Sequence, residues 1–442
     1  MGSDWHKFKL GDLGSFRNGA NFSKKDYAPG FPIVNVKQLY AHRYVETDNL
    51  LEVSSKAISN PESLFLKNGD ILFARSSVKG SGAGQAAMIS SCPENTIFSG
   101  FIIRFRIEAR DIALPLFVNY LLRSDIYREL LPRIASGTTI TNLSQGTLAS
   151  LPILLPPLPE QRAIAHILGS LDDKIELNHR MNHTLEAMAK AIFKSWFVDF
   201  DPVRAKAEGR PTGLPDDIAA LFPDSFENSE IGEIPKGWEV KPIGQVVKCV
   251  GGSTPSTKNP AFWAGGKNPF VTPRYMSSLT SPVILDTSRY ITDAGVAKIS
   301  SGRLPSGTVI LSSRAPIGYL AITEVTVSVN QGVIAMICNK DLPNHYVLYW
   351  TETNMETIKS NASGTTFAEI SKRNFRPMPV AVPVKPVLDA FVQQVEPLHR
   401  QLVLNLQESA TLARLRDTFL PKLISGELRI PDSAKFLEEA GL

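Results

Sequence analysis

Two stretches of the chain place apolar residues at alternating spacings of three and four, as expected for a helix that buries one narrow stripe. The first stretch follows Pro159 and the second follows Pro386. Such a stripe is typical of a coiled-coil seam, where two helices pack side by side. The seam positions are Leu168, Leu171, Ile175, Asn178, Asn182, Leu185, Ala189, Ile192 and Trp196 in the first stretch, and Val395, Leu398, Leu402, Asn405, Ser409, Leu412, Arg416 and Phe419 in the second.

The length of the first helix indicates that it has a partner. From Pro159 to about Phe200 it spans roughly 40 residues, or about 60 Å, which is longer than a helix packed on one domain needs. The second helix is the best partner, and because it has to return from the second domain we expect an antiparallel pair. Asn178 and Asn405 both lie on the seam, where a polar residue lowers stability and fixes the register. At Pro397 we expect a kink or the start of the second helix.

A repeat organises the rest of the chain. The pentapeptide ASGTT occurs at Ala135–Thr139 and again 227 residues later, at Ala362–Thr366. At the same offset Ser144 aligns with Ser371, and the prolines at 152, 156 and 159 align with those at 379, 383 and 386. Three matched prolines without a gap indicate a duplication rather than chance.

Upstream of the pentapeptides the two halves stay similar with small shifts. WHKFKLGDL at Trp5–Leu13 resembles WEVKPIGQV at Trp238–Val246, NGDILFARSS resembles SGTVILSSRA, and FSGFIIRF resembles NQGVIAMI. Short strands bounded by Gly and Pro dominate each half, with helix expected near Leu114–Ile134 and Tyr346–Asn361. Residues 201–237, rich in Pro, Gly and acidic side chains, predict an irregular connection.

The predicted fold class is α+β, with two pseudo-repeated mixed α/β domains separated by a long antiparallel two-helix coiled coil. The predicted boundaries are 1–155 for the first domain, 156–205 for the first long helix, 206–383 for the linker and second domain, and 384–442 for the second long helix and tail.

Composition restricts the class of protein. The 442 residues are 43% hydrophobic and 20% charged, which is ordinary for a globular protein, and the net charge of +4 is too small to identify a nucleic-acid ligand by itself. Three distant cysteines, Cys92, Cys249 and Cys338, give neither a disulfide framework nor a CxxC metal motif, so we expect a reduced, intracellular compartment. We find no signal peptide in the N-terminal sequence and no apolar run long enough for a transmembrane helix.

Candidate catalytic motifs are weak. GSGAG at Gly80–Gly84 is similar to a glycine-rich nucleotide turn, and NPAF at Asn259–Phe262 is similar to part of an adenine-methyltransferase motif, but the two lie in different halves. His179 and His183 are four residues apart on the first long helix, yet no third metal ligand accompanies them. We therefore expect neither catalysis nor a bound metal in this chain.

The sequence resembles the DNA-specificity (S) subunits of Type I restriction–modification enzymes in the segment Leu155–Val203, LPPLPEQRAIAHILGSLDDKIELNHRMNHTLEAMAKAIFKSWFVDFDPV. This segment is similar to the central conserved region of that family, and Leu415–Ile430 is similar to its distal conserved region. Gly307–Ile322 and both SGTT copies resemble its target-recognition domains. The resemblance covers nearly the whole chain in order.

The resemblance implies a function and a set of partners. Each recognition domain would read one half of a bipartite double-stranded DNA target, and the helices would act as spacer and as dock for two modification (methyltransferase) subunits. Restriction subunits, which translocate and cut DNA, would join that assembly. The chain itself would need no cofactor, whereas S-adenosylmethionine, ATP and Mg would serve the partner subunits. The location would be the cytoplasm of a bacterium or archaeon, with no membrane partner.

Physical reasoning leads to the same target architecture. DNA readers with two similar modules contact half-sites about 34 Å apart, one turn of the duplex. We therefore expect two short elements separated by roughly 5–8 unread base pairs, and an asymmetric target because the two domains differ in sequence. The alternative from a different class is a non-catalytic coiled-coil scaffold that joins two protein-binding domains.

Candidate DNA contacts are polar and basic residues on predicted loops, because base edges and phosphates are read by such side chains. In the first half they are Asn21, Ser23, Lys24, Lys25, Lys37, Gln38, Arg75, Ser76, Ser77, Lys79, Thr138 and Thr139. In the second half they are Thr254, Ser256, Thr257, Lys258, Arg274, Tyr275, Ser312, Ser313, Arg314, Thr365, Thr366, Lys372 and Arg373. The two ASGTT segments are hypothesised to be DNA-facing turns.

Overall fold

The computed structural model describes residues 4–40, 43–77, 83–134, 141–364, 368–430 and 432–441. The chain forms two compact units, of which unit 1 comprises Met1–Ile175 with Thr411–Leu442, and unit 2 comprises Glu176–Ala410. Both are mixed α/β, as predicted. The unit boundaries fall within the two long helices, so the four segments predicted from sequence remain a prediction. Within the described ranges, no helix is long and apolar enough to cross a membrane.

Unit 1 is built on a four-stranded sheet in the order β2-β9-β5-β7 and a three-stranded sheet in the order β4-β3-β8. Two strand pairs, β1-β11 and β10-β6, accompany them. The strands are β1 (His6–Lys9), β2 (Gly14–Asn18), β3 (Tyr27–Val34), β4 (Leu51–Val53), β5 (Ile71–Ala74), β6 (Ser76–Ser77), β7 (Ala86–Met88), β8 (Ile97–Phe98), β9 (Ile102–Ile107), β10 (Thr141–Asn142) and β11 (Pro152–Leu155). The helices are α1 (Pro115–Arg123), α2 (Asp125–Ile134) and α3 (Gln145–Ala149).

Strand β5 forms the centre of unit 1, because both of its faces are covered. Ile71 and Phe73 point into a core that includes Phe117 of α1, while Leu72 and Ala74 point into a second core with the β4-β3-β8 sheet. Successive side chains of a strand alternate between its faces, so a strand buried on both sides has to be continuously apolar. The sequence ILFA meets that requirement, and all four residues are fully buried.

Unit 2 repeats this plan with a five-stranded sheet, β15-β22-β19-β20-β17, and a three-stranded sheet, β18-β16-β21. Its strands are β12 (Phe226–Ser229), β13 (Gly232–Pro235), β14 (Glu239–Pro242), β15 (Lys248–Gly251), β16 (Asn268–Val271), β17 (Val283–Ile284), β18 (Tyr290–Ile291), β19 (Val309–Ser312), β20 (Leu320–Thr323), β21 (Ser328–Val329), β22 (Val333–Ile337) and β23 (Pro379–Val382). Its shorter helices are α5 (Asp201–Ala207), α6 (Asp216–Ala219), α7 (Ile243–Val246), α8 (Pro273–Met276), α9 (Asp293–Val296), α10 (Asn344–Thr353), α11 (Met355–Ser360) and α12 (Lys372–Phe375).

The register of the strand pairs confirms the repeat. In unit 1, β1 pairs antiparallel with β11 so that Lys9 lies opposite Pro152. In unit 2, β14 pairs with β23 so that Pro242 lies opposite Pro379. The aligned prolines 152 and 379 therefore occupy the same place in the two units. In each unit, the first and last strands of the repeat are hydrogen-bonded neighbours.

The connection predicted to be irregular is partly regular. Residues 201–237 contain α5, α6 and the antiparallel hairpin β12-β13. Val203, Phe222 and Ile234 from this segment are buried in the main core of unit 2. The prediction was wrong for these elements because the Pro and Gly content obscured a few widely spaced apolar residues that pack on the core.

The long helices are α4 (Leu158–Phe197) and α13 (Lys385–Ile424), followed by the short helix α14 (Ser433–Glu439). Every predicted seam position is buried or half-buried. Pro397 lies within α13, twelve residues after its first residue, so the predicted helix start at this proline is wrong.

In each unit α4 is antiparallel to the chain segment that packs on it, which consists of α13 and the residues that follow it. In unit 1, Glu160 binds Arg429 and Asp172 binds Arg416, so the residue number rises in α4 as it falls in the returning segment. In unit 2, Asn178 donates to Ser409 while Asn182 accepts from Asn405. The predicted antiparallel order is confirmed within each unit.

Buried amides form the polar part of the seam in unit 2. The Asn178 amide nitrogen donates to the Ser409 hydroxyl at 3.2 Å and to the Glu408 carboxylate at 2.8 Å. Asn405 donates to Asn182 at 2.9 Å and accepts from Gln401 at 2.8 Å. Both predicted register residues thus lie at the interface, where a shift of one helix would leave several buried polar groups unpaired.

A half-buried carboxylate joins the long helices to the rest of unit 1. Asp172 on α4 accepts from the Tyr120 hydroxyl of α1 at 2.7 Å and pairs with Arg43 at 3.0 Å and Arg416 at 2.7 Å. Burial alone would raise the pKa of Asp172, but these hydrogen bonds and positive charges hold it below the ordinary value. The neighbouring Asp173 also pairs with Arg43, yet its side chain is 70% exposed.

We predict that Asp172→Ala lowers the free energy of unfolding by about 3 kcal/mol, because it removes the carboxylate shared by two poorly solvated guanidinium groups. Asp173→Ala is the matched control and should cost less than about 1 kcal/mol, since its ion pair is open to solvent. Urea unfolding of the full chain measures both changes. Equal losses for the two variants would contradict the assignment of Asp172 as the central residue of this cluster.

Candidate nucleic-acid interface

Four segments of unit 1 meet at one end of the central sheet and are called here the first loop cluster: Ala20–Asn21, Arg75–Ser76, Ser99–Phe101 and Asn142. Backbone hydrogen bonds hold them together. The Gly100 amide donates to the Ala20 carbonyl at 2.6 Å, the Arg75 amide to the Phe101 carbonyl at 2.8 Å, and the Leu143 amide to the Arg75 carbonyl at 2.8 Å. The candidates Asn21, Arg75 and Ser76 are therefore neighbours, although they are far apart in sequence.

Unit 2 contains the equivalent second loop cluster: Ser253–Thr254, Ser313–Arg314, Asn330–Gly332 and Glu369. The Ser313 amide donates to the Gly332 carbonyl at 2.9 Å, and the Ile370 amide donates to the Ser313 carbonyl at 3.0 Å. Leu143 and Ile370 are separated by the repeat offset of 227 residues. The two units therefore form the same backbone arrangement from equivalent positions.

A glycine permits the close crossing of chain segments in each cluster. A Cβ atom on Gly19 would lie 2.2 Å from the Ser99 carbonyl oxygen, and one on Gly252 would lie 1.7 Å from the Val329 carbonyl oxygen. Both distances are far below van der Waals contact. These positions accept no side chain without movement of the segment that supports the loop cluster.

Side-chain pairs close the two clusters with different chemistry. In the first, the Ser76 hydroxyl donates to the exposed Asn142 side chain at 2.5 Å. In the second, Arg314 pairs with Glu369 at 3.4 Å, and both side chains are about two-fifths exposed, at 38% and 42%. Equivalent positions thus carry a neutral amide in one unit and an ion pair in the other.

The first loops carry exposed polar and basic side chains. Asn21, Ser23, Lys24 and Lys25 are exposed in unit 1, as are Thr254, Ser256, Thr257 and Lys258 in unit 2. Ser23 caps a 3-10 turn at Lys24–Asp26, and hydrogen bonds from its backbone and hydroxyl lower the pKa of Asp26.

The next basic candidates also occupy equivalent positions. Lys37 is the second residue of a 3-10 turn after β3, and Arg274 is the second residue of α8 after β16. Both side chains are exposed. Lys372 and Arg373 begin α12, which Ser371 caps by accepting from the Asn374 amide, and the Lys372 side chain lies beside Gly251 near the second loop cluster.

Three candidates are buried, so the expectation that they are exposed loop side chains is wrong. The Gln38 side chain accepts from the Asn35 amide at 3.1 Å and completes the start of its own turn. The Ser312 hydroxyl donates to the Pro316 carbonyl and accepts from the amides of Gly318 and Tyr319. Ser313 is 2% exposed. These side chains shape their loops instead of facing outward.

Other candidates are partly engaged or undescribed. Tyr275 is half-buried, and its hydroxyl donates to the Asp286 carbonyl. Ser77 contributes to β6 through its backbone. Lys79, Thr138, Thr139, Thr365 and Thr366 lie outside the described residues, which exclude the whole first ASGTT segment and the two threonines of the second.

Several residues of the two clusters were not predicted from sequence as DNA contacts, among them Phe101, Asn142, Gln331 and Glu369. Phe101 and Gln331 lie in the aligned segments FSGFIIRF and NQGVIAMI. These segments read as the starts of apolar strands, which suggests packing in the core and not contact with a ligand. Asn142 and Glu369 precede the aligned leucine and isoleucine at the repeat offset, so the repeat itself was a usable signal.

The described residues contain no group of three or more His, Cys, Asp or Glu side chains arranged to hold a metal ion. The Asn259 side chain, part of the NPAF segment, accepts from the Ala261 amide at 3.1 Å and caps a 3-10 turn at Pro260–Phe262. A local structural role therefore accounts for this asparagine.

Comparisons with known proteins match the chain along most of its length. A family model described as the Type I restriction modification DNA specificity domain matches residues 2–187 and 235–400. The HindI specificity subunit of the Type I restriction enzyme of Haemophilus influenzae is 27% identical, covering 96% of this chain and 100% of that protein. The MjaIX specificity subunit of the Type I restriction enzyme of Methanocaldococcus jannaschii is 25% identical, covering 97% and 94%.

A solved structure has a similar fold. The S subunit of a Type I restriction–modification system from M. genitalium aligns with a TM-score of 0.58 at 16% sequence identity, covering 95% of this chain and 96% of that one. At this level of identity the likeness concerns the fold.

We predict that Gly252→Ala disrupts the second loop cluster, because the new methyl group would collide with the Val329 carbonyl oxygen. Gly251→Ala is the matched neighbour, since a Cβ there would lie 3.1 Å from the flexible end of Lys372. Hydrogen exchange of unit 2 should show faster exchange around β15 and β21 in the first variant alone. If both variants exchanged like the wild type, the close crossing would not be a structural requirement.

Proposed function

Because the chain belongs to the Type I restriction–modification DNA-specificity family, we propose that it is the non-catalytic subunit that recognises the DNA target of such a complex. The observation that carries this proposal is the pair of loop clusters, one in each unit. They share a backbone arrangement and differ in their side chains. This is the property needed to read two different short sequences with one type of domain.

We propose that each unit reads one half of a bipartite target. The polar and basic side chains of the first loop cluster and of Lys24 and Lys25 would serve one half. Those of the second loop cluster with Lys258, Lys372 and Arg373 would serve the other. Arg, Asn and Gln make the sequence-specific contacts to base edges, while Lys and Arg also bind phosphates. Since Asn142 and Glu369 occupy equivalent positions with different chemistry, the target should be asymmetric.

The long helices would set the distance between the half-sites and bind the partner subunits. A gap of roughly 5–8 unread base pairs corresponds to half-sites about one turn of DNA apart. Exposed apolar side chains on these helices support a docking role, since Leu177 is 42% exposed, Met188 48% and Leu404 51%. Apolar groups at this exposure favour a protein partner when they recur along one element.

Two modification subunits and, through them, restriction subunits are the proposed partners. S-adenosylmethionine, ATP and Mg would then act in those subunits, in the cytoplasm of the host. The alternative function, a scaffold joining two protein-binding domains, would use the same helices but would show no preference among DNA sequences.

A mobility-shift experiment with the modification subunits present tests the proposed function. The host methylome supplies the modified motif, and duplexes containing this motif should bind at least about 1,000-fold more tightly than duplexes with both halves scrambled. Scrambling either half alone should abolish most of this difference. A complex that bound every sequence equally would exclude the specificity function and favour the scaffold.

The length of the long helices gives a second test. Insertion of one heptad beside Asn178 and one beside Asn405 keeps the seam in phase and lengthens each helix by about 10 Å. We predict a modified motif with both half-site sequences unchanged and a gap longer by about 3 base pairs.

The control for this experiment inserts the same seven residues in the turn of the β12-β13 hairpin, between Ser229 and Gly232. The gap should then keep its original length. Methylome sequencing of cells that carry each variant measures the outcome. An altered half-site with an unchanged gap in the heptad variant would contradict the proposed spacer role.

A further inference from the structure

Phe101 is the most conspicuous apolar side chain of the first loop cluster. It is 65% exposed, more than any other large hydrophobic residue in the described part of the chain. Its neighbours Phe98 and Ile102 are completely buried. A single exposed apolar residue is common on protein surfaces, so exposure alone assigns no role to Phe101. Its position within the candidate interface is the reason to consider one.

The turn that presents Phe101 is fixed by its backbone. The Ile102 amide donates to the Ser99 carbonyl at 2.9 Å, and the Arg75 amide donates to the Phe101 carbonyl at 2.8 Å. The Arg75 guanidinium also donates to the Gly100 carbonyl at 3.4 Å. The ring is therefore carried by a supported turn. A rigidly held apolar group loses less conformational entropy on binding than one on a mobile loop.

Polar groups surround this turn. A Cβ atom on Gly100 would lie 2.0 Å from the side-chain oxygen of Asn21, so the Asn21 amide packs directly on the turn. The Arg75 guanidinium contacts the same turn at the Gly100 carbonyl. The first loop cluster thus brings a phenyl ring, an amide and a guanidinium to one turn, and the two polar groups are typical for contacts to base edges.

Unit 2 differs at the same place. The strand register, in which Ile102 lies opposite Ala74 and Val333 opposite Ser312, places Gly332 where unit 1 has Phe101 and Gln331 where unit 1 has Gly100. The sequence match of FSGFIIRF with NQGVIAMI is therefore shifted by one residue in the structure. Gln331 is exposed, and its side-chain oxygen accepts from the Thr254 hydroxyl at 2.6 Å. Since both turns are anchored by an equivalent amide-to-carbonyl bond, from Arg75 to Phe101 and from Ser313 to Gly332, the aromatic ring is a specific feature of the first loop cluster and not a requirement of the fold.

We propose that Phe101 determines specificity in the half-site read by unit 1 by making an apolar contact with the methyl group of a thymine. The thymine methyl is the one apolar group that the bases display in the major groove, and Phe is among the side chains that contact it. A phenyl ring forms no hydrogen bond with the competing polar groups of the other bases. This inference rests on the proposed function and adds the chemistry of one of its contacts.

The test removes the methyl group without changing base pairing. The complex with modification subunits is titrated, by fluorescence anisotropy, with its target and with duplexes in which each thymine of one half-site is replaced in turn by uracil. For the wild type we expect one uracil in the unit 1 half-site to weaken binding by about 4-fold, the loss for one buried methyl group. A uracil in the other half-site should weaken binding equally in the wild type and in a variant changed at Phe101.

The same titrations are repeated with Phe101→Ala, so that the loss of the ring and the loss of the thymine methyl group are measured separately and together. This variant should bind the thymine duplex about 10-fold more weakly than the wild type and should lose its sensitivity to the critical uracil. Ile126→Ala is the matched control, because Ile126 is also a highly exposed apolar residue, at 59%, but belongs to α2. It should behave as the wild type on every duplex.

Three results would overturn the inference. One is a target whose unit 1 half contains no thymine on either strand. Another is a Phe101→Ala complex with unchanged affinity. The third is a weakened variant that keeps the full uracil penalty, which would show that the ring acts as a wedge between bases. Specific binding by the wild type in the same titrations would show that the proposed function survives, whereas equal binding to all duplexes would be a failure of that function.

Discussion

The packing of α4 against α13 is the interaction on which both units depend. In unit 1, Leu168 of α4 shares a core with Leu423 and Ile424 of α13. In unit 2, Phe197 of α4 contacts Phe391 of α13 and Tyr346 of α10, with ring centroids 5.0 and 4.9 Å apart. The helices therefore complete the cores of the domains in addition to packing on each other. Separation of either helix would expose apolar surface on the sheet side as well as on the seam.

Backbone geometry and side-chain chemistry have separate tasks in the loop clusters. The bonds that hold Arg75 to Phe101 and Ser313 to Gly332 use only amides and carbonyls, so they tolerate almost any side chain. The glycines at positions 19 and 252 allow the close crossing that brings the segments together. Because the scaffold is independent of the exposed side chains, the two units can present an aromatic ring and a glutamine at similar places without a change of fold.

The larger features of the fold could be predicted from sequence because they repeat or have a period. The seam positions recur over whole helices, and the proline-rich exits recur at a fixed offset, so local irregularities did not obscure them. The helix start expected at Pro397 was wrong because α13 already begins at Lys385 and its packing maintains the helix through the proline. The candidate site was harder to predict from the sequence. Ser312 is a polar residue at a strand end, which predicts exposure, but its hydroxyl satisfies three backbone groups. Phe101 is apolar beside a strand, which predicts burial, yet the turn directs it outward.

The pairing of the first and last strands has an evolutionary consequence. In unit 1, β1 lies beside β11, and in unit 2, β14 lies beside β23, so the segment enclosed by these strands in each half enters and leaves at one strand pair. A segment with adjacent ends can be exchanged by recombination as a cassette, since the flanking helices meet the same two strands before and after the exchange. New pairs of such segments thus arise in a single genetic event, without stepwise adjustment of the helices that carry them.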